Sequence, residues 1–167
     1  FYKSLASIQD RLGKNAIPIH LPIGFEKDIR GVVDLVTMKA YTYTDFHQDK
    51  LDEEEIPQDM LEKVKIYRAL LMERVVEYDD VLTEKFLSGK DLTEDEFKIA
   101  VRKATLSGKF FPVTGGDGRG VAVTYILNSV VSLLPSPLDR TLNEALNLEG
   151  EKITLLSPDK ETKTTAL

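Results

Sequence analysis

Apolar positions along the chain change period several times, and each change marks an element. Leu5, Ile8 and Leu12 stand at helical spacing with Gly13 just beyond, which predicts a short amphipathic helix over residues 1–12 closed by a glycine. Ile17-Pro18-Ile19-His20-Leu21-Pro22-Ile23 alternates apolar with polar or proline positions, the pattern of a short strand running into a loop. Residues 31–36 and 38–43 are rich in β-branched and aromatic side chains, so both are expected in a small sheet. Residues 47–55 are polar and acidic and read as a loop. Pro57 then suits a first helical turn. Val64, Tyr67, Leu71, Val75, Tyr78 and Leu82 follow at intervals of three or four, predicting one long helix to about Leu87 with Gly89 as its stop.

A second helix is expected from Thr93, whose hydroxyl can cap the chain while Glu96 reaches back. Its buried stripe is Phe97, Ala100, Val101 and Ala104. Residues 110–114 form a short apolar strand, Gly115-Gly116-Asp117-Gly118-Arg119-Gly120 a loop, and residues 121–134 a helix that Pro135 and Pro137 cannot continue. The rest reads as a polar linker, with one candidate strand at 152–156 that has no evident sheet to join. Helix, strand, inserted sheet plus two helices, strand, helix and tail together predict an α/β chain, the closing part of a parallel sheet. Two parallel strands leave a sheet edge and face uncovered. The chain also opens on Phe1 with neither an initiator Met nor a signal-peptide pattern, so it is expected to be a piece of a longer protein.

Composition narrows the chemistry. The 167 residues include no Cys, which excludes a disulfide scaffold, a thiolate metal site and a cysteine nucleophile. No apolar run approaches the roughly 18 residues of a membrane helix, so no membrane partner is expected. The net charge of −6 argues against a general phosphate-binding surface, and no direct nucleic-acid site is expected. That charge is concentrated. Residues 52–96 hold 15 Asp and Glu against 6 Lys and Arg, whereas the remainder is mildly basic.

On one continuous helix, Glu62, Glu73, Glu77, Asp80 and Glu84 would fall within about 60° of one another, opposite Leu71, and Arg68 and Arg74 would lie off that sector. Such a stripe is either a solvated face or a docking face for a basic partner. The glycine-rich turn after residues 110–114 can aim backbone amides at an anion or a base carbonyl. It lacks a P-loop's Gly-Lys-[Ser/Thr] ending and the dinucleotide-binding spacing. His20 and His47 stand 27 positions apart without cysteines, so no metal site is expected. No Ser/His/Asp constellation is visible, and no catalytic residue is assigned.

An ordered set of motifs adds to this reading. Arg11-Leu12-Gly13-Lys14-Asn15-Ala16-Ile17-Pro18-Ile19-His20-Leu21-Pro22-Ile23-Gly24 resembles translation elongation factor G of the bacterial or organellar type, just after its guanine-specificity motif. Gly31-Val32-Val33-Asp34-Leu35, Met38-Lys39-Ala40, Glu55-Ile56-Pro57, Glu84-Lys85-Phe86-Leu87-Ser88-Gly89, Leu92-Thr93-Glu94-Asp95-Glu96, Arg102-Lys103-Ala104-Thr105 and Leu134-Pro135-Ser136-Pro137-Leu138-Asp139 follow in the family's order. The resemblance spans about residues 1–139.

It implies the end of a P-loop GTPase-like domain (1–23 and 108–136), its G-prime insert (24–107), and a linker (137–167) into a second, β-barrel domain. The P-loop, both switches and the Asn-Lys-x-Asp motif would lie upstream. GTP and Mg²⁺ would belong to the whole protein, a cytoplasmic GTP hydrolase of ribosomal translocation, and not to this chain alone. The implied partners are the ribosome, its stalk protein's C-terminal domain, and the remainder of the parent. Glu73, Glu77 and Asp80 fall on the family's stalk-contact positions, with Glu84 on the same stripe. In the glycine loop the family carries Gly-Ser-Ala, where an amide reads the guanine carbonyl. Gly116, Asp117 and Gly118 stand there instead, in a loop about one residue shorter, and Asp117 would bring negative charge near that oxygen. The alternatives are an acidic adaptor that never had a nucleotide site, or a divergent paralogue without GTPase activity.

Overall fold

Residues 17–23, which read as one strand, fold as two strands in two different sheets. The computed structural model describes residues 1–13, 15–90, 92–139, 144–146 and 151–154. After helix α1 (Tyr2–Leu12), strand β1 (Ala16–Pro18) runs parallel to the much later β6 (Phe111–Val113), with Ile17 opposite Pro112. One residue on, β2 (His20–Ile23) opens an antiparallel sheet of order β2-β3-β4-β5, built with β3 (Gly31–Asp34), β4 (Lys39–Thr42) and β5 (Asp52–Glu54). Ile19 is the switch. Its N–H donates to the Val113 carbonyl at 2.9 Å, and its own carbonyl accepts from the Leu35 N–H at 2.9 Å. Pro18 and Pro22 have no N–H to give, which suits a ladder that ends and an outer strand of a sheet.

Every residue from Ala16 to Ile23 is buried, so the apolar alternation marks two covered faces rather than one wet face. Ile17, Ile19, Leu21, Ile23, Val33, Leu35 and Ala40 pack with the helices into the main core. Val32 and Tyr43 join Val121, Ala122 and Tyr125 in a second, smaller cluster. The fold is therefore mixed α/β, with a small parallel sheet, a separate antiparallel sheet and packed helices.

The expected long helix is two helices, α2 (Leu61–Val76) and α3 (Asp80–Leu87), so with α4 (Glu94–Leu106) the insert holds three helices and not two. Asp79 causes the break. Its backbone is extended, and its side chain accepts from the amides of Val81 and Leu82 at 3.1 and 3.2 Å, an N-cap that starts a new helix. The apolar stripe continues across the interruption, with Val64, Leu71, Val75 and Leu82 all buried. Thr93 and Glu96 form the expected capping box on α4. Strand β5 lies in the acidic stretch expected to be a loop. All three of its residues are exposed at a sheet edge, where charge discourages further pairing, and Lys39 on β4 bonds Glu53 at 2.6 Å.

Residues 1–134 form one compact unit, which ends in α5 (Thr124–Leu133) after a 3-10 turn at Gly120–Val123. The described residues from Pro135 onward belong to a second. There β7 (Glu144–Leu146) pairs antiparallel with β8 (Lys152–Thr154). The candidate strand at 152–156 thus has a partner after all, supplied locally by a segment that reads as linker. Residues 155 and 156 lie outside the described residues.

Asp79 also pairs with Lys103 of α4. That ammonium, ahead of the Leu82 amide, holds the Asp79 carboxyl below the ordinary carboxylate range. Asp79→Ala should cost about 0.5–2 kcal/mol in urea unfolding at neutral pH. A depressed carboxyl stabilises the fold above its unfolded pKa near ~4 and loses that contribution as pH falls through its folded value. The gap between wild type and variant should therefore narrow at acid pH; an equal gap at neutral and acid pH would mean that Asp79's charge contributes nothing.

Candidate functional site

The glycine-rich loop leaves β6 and enters the turn before α5, and it is fastened on both sides. On one side is Tyr125, which is buried and whose hydroxyl has no hydrogen-bond partner among the described residues. A Cβ on Gly116 would lie 1.9 Å from that oxygen, so only glycine fits there. On the other side is the insert. Asp117 Oδ1 accepts from the Arg119 N–H at 3.1 Å and Nε at 2.9 Å, while Oδ2 accepts from Nη2 at 2.7 Å and lies 3.4 Å from the Tyr43 hydroxyl, which donates to the Ile29 carbonyl at 2.9 Å. The Arg119 guanidinium lies 4.5 Å over the Phe46 ring. The Phe46 carbonyl accepts from the Val121 N–H at 3.0 Å.

Arg119, more than burial, decides the Asp117 charge, holding its carboxyl below the ordinary range. The resemblance implies that Asp117 brings negative charge near an acceptor oxygen of a ligand. In the structure its side chain is only 9% exposed and is paired with Arg119. Gly116 and Gly118 remain exposed, and nothing approaches within 4 Å of a Cβ placed on Gly118. A cavity of about 270 Å³ lies against this loop, lined by Phe1, Ser4, Leu5, Gly115 and Gly116 among others.

His20 is a packed residue. It is buried, its ring stands edge-on to Tyr125 at 5.3 Å, and its Nδ1 lies 2.9 Å from the Thr114 hydroxyl. Burial pushes its pKa down, against a smaller upward pull from Asp34. A neutral imidazole follows. His47 is exposed on the loop before β5. Among the described residues no three His, Asp or Glu side chains converge as metal ligands.

Glu62, Glu73, Glu77, Asp80 and Glu84 are all exposed. They do not share one helix, however. Glu62 and Glu73 lie on α2, Glu77 in the junction, and Asp80 and Glu84 on α3, so the single-helix angle of about 60° does not describe them. Nor is the stripe wholly without cations: Arg74 Nη1 lies 3.8 Å from Glu77 Oε1, a loose exposed contact of the kind worth little. The structure leaves these carboxylates on the outside of the α2–α3 pair, with Val81 beside them at 73% exposure.

Sequence reading missed Arg119, Tyr43, Phe46 and Tyr125. Arg119 carried a local signal, a cation two positions after an acid in a tight loop. Tyr43 and Phe46 carried none, because their pairing with Asp117 and Arg119 spans more than seventy positions.

No protein-family model matches the chain. Among solved structures the chain is similar to the crystal structure of a protein from Thermus thermophilus, at 30% identity and a TM-score of 0.72. The match covers 86% of this chain and 21% of that one. The fold recurs within a longer protein. The chain spans about a fifth of the length of that neighbour. Among the described residues no helix is long and apolar enough to cross a membrane.

The two exposed loop glycines should differ sharply under the same substitution. Gly116→Ala drives a methyl into the buried Tyr125 hydroxyl and should cost about 1–3 kcal/mol, the usual range for overpacking. Gly118→Ala meets open space and should stay within about 0.5 kcal/mol of wild type. Thermal unfolding of the two variants compares them directly, and equal losses would mean that Tyr125 yields.

Proposed function

We propose that this chain is the part of an elongation factor G-type ribosomal GTPase that closes the GTPase domain and carries its partner-docking insert. The observation that carries the reading is an insertion point. Parallel strands β1 and β6 are neighbours in space, while residues 24–107, with most of the antiparallel sheet and helices α2 to α4, lie between them in sequence. The family-ordered motifs fall on both sides of that point and within it. In this reading residues 1–23 and 108–136 belong to the GTPase domain, 24–107 to the insert, and 137–167 lead toward a second domain. The whole protein would work in the cytoplasm, with GTP and Mg²⁺ held mainly by upstream segments.

Two surfaces divide the work. The glycine loop leaves Gly116 and Gly118 exposed and borders a cavity at Gly115 and Gly116, and a backbone N–H directed there would read a base carbonyl. The exposed carboxylates Glu73, Glu77, Asp80 and Glu84 form an acidic face for the basic C-terminal domain of the ribosomal stalk protein.

Reversing Glu73, Glu77 and Asp80 to Lys should weaken stalk-domain binding severely while the fold survives, because all three side chains are exposed. Each lost rim contact is worth roughly 0.2–1 kcal/mol, and like-charge repulsion adds to it. Wild-type binding should also weaken with salt, as the Debye length shrinks from about 10 Å at 0.1 M to about 3 Å at 1 M. Titration of the stalk domain at two salt concentrations tests both statements, and equal affinity in the two proteins would reduce the acidic face to a solvated surface. The chain alone should show no micromolar binding of GTP or GDP by calorimetry with Mg²⁺, since the amide cradle, Lys and Mg²⁺-holding hydroxyl of phosphate binding would lie upstream.

A further inference from the structure

A carboxylate is a poor neighbour for a loop that must present donors to a keto oxygen, and Asp117 sits in the middle of this one. We infer that Arg119 sets the base preference of the glycine loop by holding the Asp117 carboxylate away from the ligand. The inference rests on the reading that this loop faces a guanine. It adds a residue to that site that neither the motifs nor the comparison assigns.

The geometry is specific. An ionised carboxylate has about four acceptor positions. Asp117 has three donors on them, all from Arg119: the N–H and Nε on Oδ1, and Nη2 on Oδ2, with the Tyr43 hydroxyl oxygen 3.4 Å from Oδ2. Its side chain is 9% exposed, although Gly116 and Gly118 on either side of it are open to solvent. The Arg119 donors engage both oxygens, and little of the carboxylate is left to face outward. The planar fork of the guanidinium makes this possible, since Nε and Nη2 reach the two carboxylate oxygens at once.

Arg119 is in turn held by the insert. Its guanidinium stacks 4.5 Å over Phe46. The neighbouring backbone is set against the same residue: Gly120 adopts φ +53°, and a Cβ there would lie 2.1 Å from the Phe46 carbonyl oxygen. Tyr43, which borders the Asp117 carboxylate, donates its hydroxyl to the Ile29 carbonyl at 2.9 Å and packs on Phe46 at 5.3 Å between ring centres. Residues 43–46 therefore act as a mould for residues 117–121. The outer face of the loop is left to exposed glycine backbone at Gly116 and Gly118, where an N–H turned outward would attract a keto oxygen. Removing Arg119 would free a carboxylate, which repels a keto oxygen and accepts from an exocyclic amino group. Guanine carries the keto group at that position and adenine the amino group, so the preference should shift from the first toward the second.

The test uses the full-length protein that carries this segment, with GDP and ADP as probes, in wild type, R119A, R119K and R119A/D117N. Wild type should prefer GDP. R119A should reduce the GDP-to-ADP preference by about tenfold or more, the effect of some 1.4 kcal/mol. R119K should fall between, because an ammonium lacks the two-pronged fork. R119A/D117N should recover most of the preference, which a merely structural role for Arg119 would not allow. An unchanged preference in R119A, or no recovery in the double variant, overturns the inference while leaving the guanine reading intact. A wild type without guanine preference overturns both. In the 167-residue chain itself, hydrogen exchange at the Arg119 and Val121 amides should speed up in R119A. Unchanged protection there would show that Arg119 does not hold the loop.

Discussion

The main chain at Ile19 bonds in two directions, and the arrangement of the first 134 residues depends on that division. Its N–H completes the parallel ladder through Val113 and its carbonyl begins the antiparallel one through Leu35. An isolated buried amide or carbonyl costs about 1–3 kcal/mol, so a fully buried residue between two sheets must find a partner on each side. Once it does, Ile17 and Leu21 are committed to the same core although they belong to different sheets. The large segment between β1 and β6 can then fold on its own sheet without disturbing the parallel pair.

That division also explains why the glycine loop is built from both halves. The loop follows β6, but its shape is imposed by residues 43–46 of the inserted sheet through Phe46 and Tyr43. A short glycine-rich segment has high conformational entropy and few side chains with which to fix itself. Here the fixing groups are one ion pair, one stacked guanidinium and one buried tyrosine. The inserted sheet thus supplies rigidity to a loop that lies outside it in sequence.

The acidic surface follows a different logic. Asp79 commits its carboxylate to the first amides of α3 and to Lys103, which turns the chain at the end of α2. The neighbouring carboxylates at Glu73, Glu77, Asp80 and Glu84 remain exposed, on two helices and the bend between them. A bent acidic face presents its charges over more than one helix axis.

Much of this was legible in residue order. The helical stripe of Val64, Leu71, Val75 and Leu82, the capping box at Thr93 and Glu96, and the strands at Val32-Val33 and Phe111–Val113 follow from local periodicity and capping chemistry, which a sequence states directly. The mixed α/β class follows from the order of those elements. The tertiary structure decided where continuity breaks and what long-range partners do. It split residues 16–23 between two sheets because both faces were buried, and it ended α2 because Asp79 had amides to cap. It also paired β7 with β8, and it turned Asp117 inward because Arg119 and a distant tyrosine met it there. Periodicity records which face of an element is apolar. It carries no record of which element that face, or that carboxylate, will meet.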